Sequence, residues 1–119
     1  MSMNTFVSYT NALELLRALR PVVEQLKRFD ADAADQLTRA GTSVVNNLAE
    51  GARRTGKDQL RLYRYAHGSA NEILGVLDGA DAWGWPLDAG HARAVLDREL
   101  ALLWGLTHPK PKTAASTRG

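Results

Sequence analysis

Ser43-Val44-Val45-Asn46-Asn47-Leu48-Ala49-Glu50-Gly51 decides the reading of this chain, together with Arg53, Arg54 and Lys57 just beyond it. At 100° per residue, Val44, Leu48 and Gly51 share a helix face with the earlier Leu37, Ala40 and Gly41. That face is narrow and built of small residues, so the backbone can approach a neighbour closely. Ser43, Asn47, Glu50 and Arg54 fall within about 60° of one another, roughly 100° from the apolar face. Ser and Asn are poor helix formers, so such a stripe calls for a compensating contact. It sits beside the core, where the next helix or a second subunit could cover it. An ordinary solvated face is the plainer alternative. Glu50 and Arg54, spaced i,i+4 with the acid first, add a few tenths of a kcal/mol if exposed.

Three further amphipathic segments surround this one. The first runs from about Tyr9 to Arg28, with Ala12, Leu15, Leu16, Leu19, Val22, Val23 and Leu26 on one face. Pro21 lies inside it and should kink the helix or start a second piece. The central helix spans about Asp32 to Arg54, with N-caps offered by Phe29-Asp30-Ala31-Asp32 and a stop at Thr55-Gly56. The third runs from about Lys57 to Trp83, its stripe made by Tyr63, Ala66, Ala70, Ile73, Leu74 and Leu77. Gly68, Gly75 and Gly79 lie near one face of it. Each costs about 1 kcal/mol in a helix interior, so either another helix packs there or the C-terminal half frays. After Gly84-Trp85-Pro86, the fourth runs from an Asp88 N-cap to Leu106, with Ala92, Val95, Leu96, Leu103 and Leu106 inward. Short connections then predict an all-α, antiparallel up-down-up-down four-helix bundle over residues 1–108. Residues 109–119 read as a disordered basic tail.

Composition narrows the function classes. The chain has 119 residues and 45% hydrophobic content, enough for one core and too apolar for global disorder. It has no cysteine, hence no disulfide and no thiolate metal site, and a reducing cytoplasm is the simplest compartment. Residues 1–10 carry no signal-peptide pattern, and no apolar run approaches the roughly 20 residues that span a bilayer. His67, His91 and His108 have no metal-ligand spacing, and no nucleophile or phosphate-loop motif occurs, so no cofactor or metal is expected. His67 reads as a hydrogen-bonded interior histidine. Trp83, Trp85 and Trp104 read as packing at bundle ends, with a ligand pocket as the alternative.

The net charge is +2, but its distribution is uneven. Residues 53–64 hold five bases (Arg53, Arg54, Lys57, Arg61, Arg64) against one acid, Asp58. Residues 65–104 hold six acids against two bases, Arg93 and Arg98. Lys57, Arg61 and Arg64 are spaced i, i+4, i+7 and form one ridge near a helix N-terminus, where anions are favoured. This suits contacts to a phosphate backbone; a solvated charged face is the plainer reading for a single subunit, and symmetric repetition would tip the balance. Tyr63 and Tyr65 interleave with these cations and suggest base stacking, although Tyr63 also falls on the core stripe.

On these residues the chain resembles a family of small bacterial four-helix-bundle proteins. The family includes proteins encoded in intervening sequences of large-subunit ribosomal RNA genes and the accessory protein of diversity-generating retroelements. Its pattern S-x-x-x-N-[IL]-A-E-G, a basic stretch, then A-x-G-S-x-x-E is similar to Ser43, Asn47, Leu48, Ala49, Glu50 and Gly51, then Arg54 and Lys57, then Ala66, Gly68, Ser69 and Glu72. The likeness covers mainly residues 37–77. The family often has a proline in the segment before Asn47, where this chain has Val44-Val45-Asn46. The resemblance implies a ring-like homopentamer without catalytic activity. In its retroelement branch it also implies binding of RNA or DNA and of a reverse transcriptase through a basic surface. Ser43, Asn47, Glu50, Gly68, Ser69 and Glu72 are the candidate subunit-interface residues. Arg53, Arg54, Lys57, Arg61 and Arg64 are the candidate nucleic-acid contacts. The competing expectation is a purely structural or protein-docking assembly.

Overall fold

A computed structural model describes residues 1–110; it is all-α, with four helices and, among the described residues, no strand. They are α1 (Met3–Leu26), α2 (Ala31–Gly51), α3 (Gly56–Trp83) and α4 (Gly90–Thr107). Each packs on two neighbours, α1 and α3 both touching α2 and α4, so the four close a ring of contacts around one core. The bundle measures 57 × 23 × 19 Å. No described helix is long and apolar enough to cross a membrane. The expected tail lies outside the described residues from residue 111 onward.

The apolar stripes read from sequence face inward. Leu15, Leu19, Val22 and Leu26 meet Leu37, Val44 and Leu48, with Ile73, Leu77, Leu96 and Leu103 from the other two helices. The helix ends differ from expectation in instructive ways. Helix α1 starts at Met3 rather than Tyr9, because Ser2 caps it by accepting a hydrogen bond from the Thr5 amide at 3.2 Å. It continues through Pro21 as one helix. Pro21 cannot donate to the Arg17 carbonyl, but it is exposed, so water can replace the lost bond. Asp30 caps α2, accepting from the Ala33 amide at 3.0 Å. That helix ends at Gly51, not Arg54, and Thr55-Gly56 begins the next helix instead of stopping the last. Gly56 (φ +59°) supplies the left-handed corner that makes this tight restart possible. Gly84 (φ +81°) ends α3 in the same region of backbone space. The N-cap of α4 is Ala89, not Asp88; the Asp88 amide instead donates to Gln25 Oε1 at 2.7 Å.

The small-residue face of α2 is used inside the chain. A Cβ on Gly41 would stand 2.7 Å from Leu16 Cδ2, and one on Gly51 would stand 2.6 Å from Tyr63 Cε1. Neither glycine could carry a side chain without something moving. The glycines of α3 behave differently. A Cβ on Gly68, Gly75 or Gly79 would meet nothing within 4 Å, so among the described residues no helix packs closely there, and α3 still runs unbroken to Trp83.

Buried polar contacts tie α1 to α3 across the bundle and to its neighbour α4. The Thr5 and Tyr63 hydroxyls lie 2.9 Å apart and link α1 to α3. Glu99 of α4 is fully buried, accepting from Ser8 Oγ at Oε2 and from Asn11 Nδ2 at Oε1, each at 2.9 Å. Burial pushes the Glu99 carboxyl up to about 7, against the pull of its Asn11 and Ser8 hydrogen bonds and of Arg98. Glu99 lies between Leu96 and Leu103 on the α4 stripe, a spacing that marks it as inward-facing despite its charge. Ser8 was hidden by the late helix start. No buried side-chain polar atom among the described residues lacks a partner.

Two stability measurements follow. Gly51→Ala should destabilise the fold by about 1–3 kcal/mol in urea titration, because the Tyr63 ring it strikes is buried and held by Thr5. Gly41→Ala should be close to neutral, since the half-buried end of Leu16 can swing away and alanine favours the helix. The Glu99 carboxyl binds its proton more tightly folded than unfolded. Its stabilising contribution is therefore complete below about pH 4.5 and is lost as pH rises toward about 7. Glu99→Gln, whose amide can still pair with Ser8 and Asn11, should remove that decline, worth on the order of 3 kcal/mol. Parallel pH–stability curves for the two proteins would contradict this.

Candidate nucleic-acid interface

The candidate site is assembled at the turn between α2 and α3. Helix α2 ends at Gly51, which packs against the Tyr63 ring. Arg53 and Arg54 are therefore placed in the turn, beyond the helix where sequence had put Arg54. Gln59 clamps the turn: its Nε2 donates to the Gly51 carbonyl at 3.1 Å and to the Arg54 carbonyl at 2.8 Å. Lys57, Arg61 and Arg64 then rise along the outer side of α3. All five cations are exposed.

They are not equally available. Arg54 donates to Glu50 Oε1 at 2.6 Å, and this partnership holds the Glu50 carboxyl below its ordinary range. Arg61 reaches Asp58 Oδ1 at 3.4 Å, and its guanidinium carbon lies 5.6 Å from the centre of the Tyr65 ring. Arg53, Lys57 and Arg64 form no ion pair among the described residues. Exposed i,i+3 and i,i+4 pairs are worth little, so a polyanion can displace both acids at small cost. Arg53 also edges a shallow recess of about 430 Å³ lined by Asn46, Asn47, Ala49 and Glu50.

The polar stripe on α2 meets the next helix at its first member, Ser43, while Glu50 and Arg54 remain exposed. Asn47 Nδ2 donates to the Ser43 carbonyl at 2.9 Å and to Ser43 Oγ at 3.0 Å, and Ser69 Oγ of α3 donates to Ser43 Oγ at 2.8 Å. Ser43, Asn47 and Ser69 thus form one half-buried cluster across the α2–α3 seam. The remaining interface candidates, Glu50, Gly68 and Glu72, are exposed in the single chain.

The aromatic residues divide. Tyr63 is core, 4% exposed, whereas Tyr65 is 52% exposed beside the cations. Phe29, Trp85 and Trp83 stack in series at the other end of α3, with ring centres 5.9 and 6.1 Å apart, and Trp83 is 75% exposed. Trp104 stacks on His108 at 4.1 Å. His67 is half-buried but makes no hydrogen bond among the described residues, contrary to the sequence reading; burial lowers its proton affinity. No three His, Asp or Glu side chains among the described residues come together as metal ligands.

No curated protein and no solved structure matches the chain. A family model does match, over residues 5–85, which takes in α1 from Thr5 onward, α2, the basic turn and all of α3. The chain belongs to the 23S rRNA-intervening sequence protein family.

Proposed function

We propose that the protein is a non-enzymatic, self-assembling bundle that binds RNA or DNA through Arg53, Arg54, Lys57, Arg61 and Arg64. One observation carries this reading. The α2–α3 turn gathers five exposed cations on one corner, and three of them have no acidic partner among the described residues. Phosphate contacts of this kind supply affinity without reading sequence. The up-down-up-down arrangement is supported by pairings along α1. Ser8 near its start meets Glu99 in the second half of α4, while Gln25 near its end meets Asp88 just before α4. The ring-like homopentamer expected from the family would set several copies of the corner on one assembly, where repetition strengthens a modest patch. An accessory role beside a reverse transcriptase is the narrower form of the same proposal.

Protein docking is the second reading, favoured by the Phe29–Trp85–Trp83 stack and the exposure of Trp83. It places the partner at the acidic end of the chain and makes the basic corner a subsidiary contact.

Affinity for a labelled oligonucleotide should fall steeply as salt rises from about 50 to 200 mM. Lys57→Glu combined with Arg64→Glu should weaken binding at least about tenfold on every sequence tested and flatten the salt slope by roughly two phosphate contacts. A wild-type protein that binds nothing at low salt, or whose binding ignores salt, contradicts the proposal. Recovery of one stoichiometric protein partner after nuclease treatment, abolished by Trp83→Ala, would favour the second reading.

A further inference from the structure

We infer that the basic corner takes single-stranded nucleic acid, with Tyr65 as the surface on which one base stacks. The inference rests on the nucleic-acid reading above and specifies its ligand. Lys57, Arg61 and Tyr65 are each four residues apart on one unbroken helix. They climb a single line of α3 at intervals of about 6 Å. A strand laid along that line meets two cations and then an aromatic ring, with Arg64 beside it.

The ring is held ready for this. Tyr63, two residues earlier, spends its ring against Gly51 and its hydroxyl on Thr5. Tyr65 has no such anchor in the core: its polar contact is with the neighbouring Arg61, and it keeps 52% of its surface open. The Arg61 guanidinium sits over the ring at 5.6 Å, a cation–π contact that still leaves the ring largely accessible. The ring also belongs to a rigid 28-residue helix and not to a mobile loop.

The choice of strand follows from which base surfaces are offered. A duplex stacks its bases on one another and presents only edges in its grooves, so a ring on the side of a helix finds no base face to cover. An unpaired strand presents those faces, and stacking on an aromatic side chain tolerates any base. Cations spaced along a ridge then hold the backbone while the ring takes a base.

The test compares a fluorescein-labelled mixed-sequence RNA strand, alone and annealed to its complement, by fluorescence anisotropy at low salt. Tyr65→Ala should weaken single-strand binding roughly 5- to 100-fold and leave duplex binding unchanged. Tyr65→Phe, which keeps the ring, should bind both as the wild type does. Unchanged single-strand binding by Tyr65→Ala overturns the inference, and so does an equal loss on strand and duplex, which would mean that the tyrosine only positions Arg61. In either case the salt-dependent binding of the wild type would stand. A wild type that binds neither form removes the parent reading and this inference together.

Discussion

The contact between Gly51 and the Tyr63 ring is the constraint on which the functional corner depends. A glycine is required because any side chain there would enter the ring. The ring is buried, and the Thr5 hydroxyl holds its far end, so moving it is costly. This fixes how closely α2 and α3 approach at the turn. Further along the same seam, half-buried Ser43 and Ser69 hydrogen-bond across it, with Asn47 donating to Ser43 from the same helix. Such bonds specify register more than they add stability. With the two helices locked, the residues between them have little freedom, and Gln59 removes what remains by holding two carbonyls of the turn. Arg53 and Arg54 in the turn and Lys57, Arg61 and Arg64 at the start of α3 are thereby brought near one another.

Charge is separated along the chain's length. The basic corner lies at the α2–α3 turn. Asp78 and Asp81, which share Arg93, lie toward the other end of α3, near the Trp83–Trp85 stack. The two ends of α3 therefore present different chemistry, one cationic with a single free tyrosine and one aromatic with acids. A polyanion is drawn to the first and repelled from the second. The division suits the proposed nucleic-acid contact at the cationic end and keeps it apart from the aromatic end.

Much of this was legible in the sequence, for physical reasons that can be named. Stripes with helical spacing located all four helices, and the run of Leu37, Ala40, Gly41, Val44, Leu48 and Gly51 identified the packed face of α2. The family pattern around Asn47 and Gly68 agrees with the match over residues 5–85. Helix ends were less legible. Thr55-Gly56 looks the same whether a helix stops or starts there; α2 has already ended at Gly51, and the extended Thr55 is the N-cap of α3. The polar core was the main omission. Thr5, Ser8 and Glu99 occupy inward positions by spacing, but their polarity hid them from a hydrophobic pattern. Tyr63 and Tyr65 could not be separated by spacing to cations alone; the ring that meets Gly51 is core, and the other is surface. The glycines of α3 marked a face that no described helix fills.

The central claim is that the α2–α3 turn and the outer side of early α3 form one surface for nucleic acid. Backbone amide chemical-shift mapping of the isotope-labelled protein, titrated with an RNA strand at low salt, tests it most directly. The account predicts perturbations clustered from Arg53 to Tyr65, saturating together, with the amides around Phe29, Trp83 and Trp85 unmoved. Shifts concentrated at the aromatic end, or none anywhere, would contradict it.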